Sequence, residues 1–223
     1  KRADREASEG TVQAKVKGSF GAMISLNCET DFVAKNENFV KFALSILDLA
    51  LENQPADLAA LKALPMDGKT VEEKVTEQTG IIGEKLELAY YDFVKAEHVI
   101  AYNHIGNNLG TLVGFNKEQV DEQVAKDVAM QVAAMAPLAV DRNDIDPTVL
   151  EKEHSLGREK ALQEGKPENI VDRIAEGMVN KFVKENTLLN QEFTKDNKKT
   201  VKQYLLDSDG DLLVTTFKRY SLK

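Results

Sequence analysis

The residues best equipped for chemistry in this chain are a Gly68-Lys-Thr70 tripeptide, the segment Gly106-Asn-Asn-Leu-Gly110, three histidines and one cysteine. A phosphate-cradling loop needs a glycine, four further residues and then Gly-Lys-Ser/Thr, so that successive backbone N–H groups surround the anion. Here the first of those positions is Ala63, and no strand leads into it. Gly68-Lys-Thr70 therefore does not read as a nucleotide site. Gly106 to Gly110 is not a dinucleotide fingerprint either, and its flanks fit a hairpin. His98, His104 and His154 lack the HExxH or Cys–His spacing of a metal centre. His154 reads as a solvated residue on a charged helix, and His98 and His104 as structural residues beside a strand. Cys28 reads as a nucleophile or an intermolecular bridge on one view. The favoured view is a small buried apolar side chain. The carboxylates are scattered as on any solvated helical face. The chain is therefore not expected to be an enzyme, nor to hold a metal or cofactor.

Bulk properties narrow the class further. With 223 residues, 42% hydrophobic and 30% charged, the chain has enough material for one large or two small cores. A net charge of -8 and the lack of a long Lys/Arg run argue against direct nucleic-acid binding, which needs a positive face to release counterions. One cysteine cannot close an internal disulfide, which fits a reducing compartment and a cytoplasmic location. No apolar stretch approaches the roughly 20 residues of a membrane span, and no secretory signal opens the chain. Residues 1–10 read as a linker or the tail of a charged helix from which something N-terminal has been removed.

The elements that must position any site follow from periodicity. Val12, Ala14 and Val16 alternate with polar residues, predicting a strand over 11–17. Gly18 to Gly21 turns the chain into a returning strand over 22–26. Phe39, Val40, Phe42, Ala43, Ile46, Leu47 and Ala50 carry helical spacing over 39–50. A short helix or turn cluster is expected within 55–65, a helix over 71–80 closed by Gly80, and strand-forming residues over 81–94. The plan then begins again: a strand over 99–105, a turn over 106–110, a strand over 111–115 and a helix over 120–135. This reads as an internal duplication, giving an α+β fold of two related subdomains side by side. The boundaries are 11–97 for the first, and 98–140 with 187–223 for the second. Residues 141–186 form an inserted antiparallel helical hairpin, with helices over 147–163 and 168–185 split by Gly165-Lys-Pro167. Such a charged pair is expected to project as a coiled coil. A strand over 211–217 completes the second sheet.

The unusual local feature is Asn27-Cys-Glu-Thr-Asp-Phe-Val-Ala-Lys-Asn36, between the first hairpin and its helix. Thr30 or Asp31 can cap the helix that follows. Phe32 is either a staple packed on its own helix or a protruding wedge, and the residues alone leave both open.

Thr30-Asp-Phe-Val-Ala-Lys-Asn36 resembles the signature of the elongation factor Ts family, nucleotide-exchange factors for elongation factor Tu. Similar stretches follow in family order: Ile82-Gly-Glu-Lys85, Asp127 to Ala134, Gly165-Lys-Pro167, Glu176-Gly177 with Lys181-Phe182, and Leu188 to Phe193 before Thr200-Val201. The resemblance implies two related subdomains with an inserted coiled-coil hairpin. It also implies binding to elongation factor Tu, both GDP-bound and nucleotide-free, through a loop that enters near its magnesium and phosphate sites. Phe32 would wedge between partner helices and Asp31 would anchor the loop. The implied partner-binding set is Thr30, Asp31, Phe32, Val33, Lys35 and Asn36, with Gln131 and Val132 from a second contact helix. Many members carry histidine where this chain has Gln131. The family's small N-terminal helical domain is not in this sequence, and assemblies with a second copy of the chain are compatible with the resemblance. A competing expectation is a scaffold protein that associates through the charged hairpin.

Overall fold

The computed structural model describes residues 4–222. Of the linker expected over 1–10, residues 1–3 lie outside the described residues, and Glu9 and Gly10 already belong to a strand. The chain opens with strands β1 (Glu9–Lys17) and β2 (Phe20–Cys28), a single helical turn α1 (Asp31–Ala34) and the long helix α2 (Glu37–Asn53). Next come α3 (Leu58–Lys62), the small hairpin β3 (Pro65–Met66) and β4 (Lys69–Thr70), α4 (Val71–Ile82) and β5 (Glu87–Lys95). The second round supplies β6 (His98–Asn103), β7 (Leu109–Phe115) and α5 (Glu122–Met135). Then follow α6 (Pro147–Gln163), α7 (Glu168–Asn186), β8 (Glu192–Phe193), β9 (Asp196–Thr200), α8 (Val201–Ser208) and finally β10 (Val214–Ser221).

The architecture is α+β with small antiparallel sheets. The repeat is visible in strand order: β1-β2-β5 form one three-stranded sheet and β6-β7-β10 the other, the last strand pairing in each case on the second strand of a hairpin. Compactness cuts the chain by packing rather than by repeat. Residues 1–133 and 214–223 form one unit, which contains both sheets, and 134–213 form the second.

Within the first unit β2 is buried along its whole length, unlike a half-exposed strand. Phe20, Ala22, Ile24, Leu26 and Cys28 face a core built with α2, α3 and α4, while Met23 on the opposite face joins Val12, Val94, Val99 and Leu112 between the sheets. A strand covered on both faces loses the polar half of its alternation, which is why sequence periodicity marked only residues 22–26. The sheets approach closely at glycine: a Cβ on Gly21 would lie 2.7 Å from Val99 Cγ1 and 3.0 Å from Leu112 Cδ2. Asn103 adds a polar clasp, accepting from the Ala14 N–H at 2.8 Å and donating to its carbonyl at 2.9 Å, so that an amide side chain stands in for one rung of strand pairing.

Several boundaries differ from expectation, and two of them have a clear physical cause. The glycine closing α4 is Gly83, left-handed at φ 85°, whose N–H bonds to Thr79 O, whereas Gly80 lies inside the helix. The two extra residues bring Ile82 against the core. The last strand starts three residues late, at Val214, after an irregular stretch that buries Leu212. Gly68-Lys-Thr70 is a hairpin and a cap. Asp67 and Gly68 both have positive φ, the signature of a tight two-residue turn, and Thr70 forms a capping box with Glu73 that satisfies the N–H groups of both residues at the start of α4.

In the second unit α6 and α7 are antiparallel neighbours. Gly157 lies against Ala175 so closely that a Cβ would sit 3.1 Å from its Cα, and Arg158 pairs with Asp172 and Glu168 across the hairpin. Val179 and Val183 of α7 pack with Ala139 and Ile145. The hairpin β8–β9 and helix α8 had no counterpart in the sequence expectations.

Candidate functional site

The loop after β2 is built from both ends. Thr30 has extended backbone and caps α1, its hydroxyl accepting from the Val33 N–H at 3.4 Å. Asn36 caps α2, its side-chain oxygen accepting from the N–H groups of Asn38 and Phe39 at 2.9 and 3.3 Å. The single capped helix expected here is therefore two, and the short α1 between them turns its apolar residues in different directions. Val33 and Ala34 pack against the core, while Phe32 is 83% exposed. That exposure excludes the staple reading. Lys35 and Asp31 form an i,i+4 ion pair at 3.0 Å, both side chains solvent-exposed, which is worth a few tenths of a kcal/mol at most.

Beneath α1 the loop meets the end of α4. The Glu84 carboxylate accepts from the backbone N–H groups of Glu29 and Thr30, both at 3.1 Å, and from the Thr30 hydroxyl at 2.6 Å. Glu29 returns the arrangement by accepting from the Lys85 N–H at 2.6 Å. Beside Phe32 opens a groove of about 450 Å3, whose floor and far wall include Val33, Phe39, Gln78, Ile81 and Ile82. Ile81 is 70% exposed, so two large apolar side chains flank the groove.

The structure thus brings together Thr30, Asp31, Phe32, Val33, Lys35 and Asn36 and adds Gln78, Ile81 and Glu84, to which sequence reasoning gave no role. The stretch Ile82-Gly-Glu-Lys85 had stood out by resemblance only. Gln131 and Val132 are a different matter. Both are fully buried on α5, in the stripe that also holds Val124 and Val128. The structure places both side chains inside the α5 stripe, and a partner contact at this helix rests on the resemblance alone. The exposed large apolar residues of α5 are Met130 and Met135.

Cys28 is fully buried at the base of the loop, its thiol donating to Thr30 O at 3.2 Å. Burial first, then the negative charge of Glu84, pushes the thiol up to about 12. It is protonated at neutral pH and is not an activated nucleophile. Among the described residues no cluster of three or more His, Cys, Asp or Glu could hold a metal, and no helix is long and apolar enough to cross a membrane.

The family model described as elongation factor Ts matches residues 29–223, opening on the first residue of this loop. The chain belongs to the elongation factor Ts family. The elongation factor Ts of Porphyromonas gingivalis is 47% identical over 223 residues, covering all of this chain and 81% of that protein. That of Azobacteroides pseudotrichonymphae is 49% identical over 222 residues with the same coverage. That of Herminiimonas arsenicoxydans is 46% identical over 217 residues, covering 97% of this chain and 73% of its own length. The elongation factor Ts match includes both the loop and the Glu84 region that supports it, and the chain is a translation elongation factor by family.

Proposed function

We propose that this chain is a guanine-nucleotide exchange factor which binds elongation factor Tu and promotes release of GDP by inserting the Asp31–Phe32 turn near the partner's magnesium and phosphate sites. The observation that carries the reading is Phe32, 83% exposed on a turn capped at both ends and flanking one groove with the exposed Ile81. A lone exposed apolar residue needs no explanation, but a rigid aromatic held out from a fixed turn is how interfaces concentrate energy. Burying one Phe in a partner supplies roughly 1.5–3 kcal/mol.

Exchange follows by linkage. If insertion weakens GDP by some factor, the chain binds nucleotide-free partner more tightly than GDP-bound partner by that same factor. The chain itself then needs no nucleotide site and performs no chemical step, and it works in the cytoplasm with the translation machinery. The finer description of α6 and α7 as a coiled coil belongs with this reading.

The test is release of a fluorescent GDP analogue from elongation factor Tu of the same organism, chased with unlabelled GDP. The chain should accelerate release, and Phe32→Ala should lose about tenfold or more of that acceleration, the equivalent of the apolar burial removed. Full acceleration by Phe32→Ala would refute the wedge, and no acceleration by the native chain would refute the exchange reading.

A further inference from the structure

The β2–β5 ladder ends at the pair Asn27 and Glu87, two residues short of the exchange loop. Beyond that point a pair of carboxylates continues the pairing. Glu84 takes two backbone N–H groups and a hydroxyl from Glu29 and Thr30, and Glu29 takes the Lys85 N–H in return.

We propose that Glu84 is a positioning residue for exchange: it seats Thr30, and through Thr30 fixes the direction in which Asp31 and Phe32 are presented. The proposal rests on the exchange reading above. Three observations carry it. First, α1 is a single turn of four residues, none of them fully buried, and a turn that short does not persist on its own hydrogen bonds. Its orientation comes from the packing of Val33 and Ala34 on the core and from the anchoring of its ends. Second, the Thr30 hydroxyl has one proton, which it gives to Glu84 at 2.6 Å, leaving its lone pairs for the Val33 N–H. The clamp and the cap are thus one connected network. Third, Glu84 directly follows Gly83, whose left-handed backbone ends α4 and turns the chain toward the loop. Bonds to an ionised carboxylate are about twice as strong as neutral ones, so this anchor outweighs the exposed Asp31–Lys35 pair.

The test compares Glu84→Ala and Glu84→Gln with the native chain in two measurements. The first is amide hydrogen exchange of the chain alone at Glu29, Thr30 and Val33, with Met23 and Ile24 of β2 as core references. The second is GDP release from elongation factor Tu over a range of chain concentrations, separating the maximal rate from the half-saturating concentration. Glu84→Ala should speed exchange of the loop amides about tenfold or more while leaving the core references unchanged. It should lower the maximal rate about tenfold and move the half-saturating concentration by less than about threefold, because a loop that is seldom in place reduces productive complexes rather than encounters. Glu84→Gln keeps a carbonyl for the N–H groups and an amide donor for Thr30 Oγ, so it should restore both readouts to within about threefold. Unchanged loop amides in Glu84→Ala would overturn the proposal, as would equal loss of protection at Met23 and Ile24. So would a freed loop with an undiminished maximal rate while Phe32→Ala is impaired. If the native chain does not accelerate release at all, the exchange reading and the role given to Glu84 fall together, while the amide measurement still decides whether Glu84 holds the loop.

Discussion

Cys28 illustrates how one residue's environment sets its chemistry. The unfolded chain ionises this thiol near its ordinary 9.0, whereas burial and the neighbouring Glu84 charge hold the native thiol protonated up to about 12. Its folded value is raised, so its contribution is fully present below pH 9 and is lost as pH rises through the window to 12. The slope is about 1.4 kcal/mol per pH unit for one proton. Tyr90 and Tyr91 are pushed up as well, by burial and then by Asp92, and act in the same direction at higher pH. Denaturant unfolding followed from about pH 8 to 11 should therefore show falling stability, with a slope for Cys28→Ala shallower by about one proton. Equal slopes would mean that Cys28 ionises alike in both states. A thiol reagent at neutral pH should likewise react with the unfolded chain and spare the native one.

At the scale of elements, α4 contains a natural experiment in its two glycines. Gly80 lies within the helix and a Cβ there meets nothing within 4 Å, so Gly80→Ala should stabilise by up to about 1 kcal/mol through helix propensity. Gly83 is equally uncrowded but sits at φ 85°, so Gly83→Ala should cost about 1–2 kcal/mol from backbone strain alone. Chemical denaturation of both variants should give opposite signs; the same sign would place the helix end elsewhere. These glycines also mark where local reading stops. The hairpins β1–β2 and β6–β7 and the helices α2, α5, α6 and α7 follow from alternation, helical spacing and turn residues, all visible within a dozen positions. The choice of Gly83 over Gly80 depends on where Ile82 packs, and β2 outran its alternation because both faces are covered. Thr30 through Asn36 stood out as a capped loop, yet only exposure in the fold separates a staple from a wedge at Phe32. Glu84 reaches Thr30 across 54 positions, a relation no periodicity encodes, whereas the burial of Gln131 and Val132 follows from the helical stripe of α5.

At the scale of the whole molecule, the question is whether the duplicated halves behave as lobes or as one body. The sequence repeat suggests lobes, but the first unit encloses both sheets around a shared layer of Val12, Met23, Val94, Val99 and Leu112. Gly21 belongs to the first half, and its nearest neighbours Val99 and Leu112 belong to the second. A methyl there would stand 2.7 Å from a β-branched side chain that has little rotamer freedom to retreat. Gly21→Ala should therefore cost about 1–3 kcal/mol by overpacking. If the halves share one core, the damage cannot stay local. Amide protection in β6 and β7 should fall by the same factor as in β1 and β2, because both sheets then open in a single cooperative step. If the halves are independent lobes, protection would fall in β1 and β2 alone while β6 and β7 kept their native values. Residue-resolved hydrogen exchange on Gly21→Ala separates the two. The shared layer favours the first outcome, since Val12, Met23 and Val94 of the first repeat and Val99 and Leu112 of the second belong to one buried cluster.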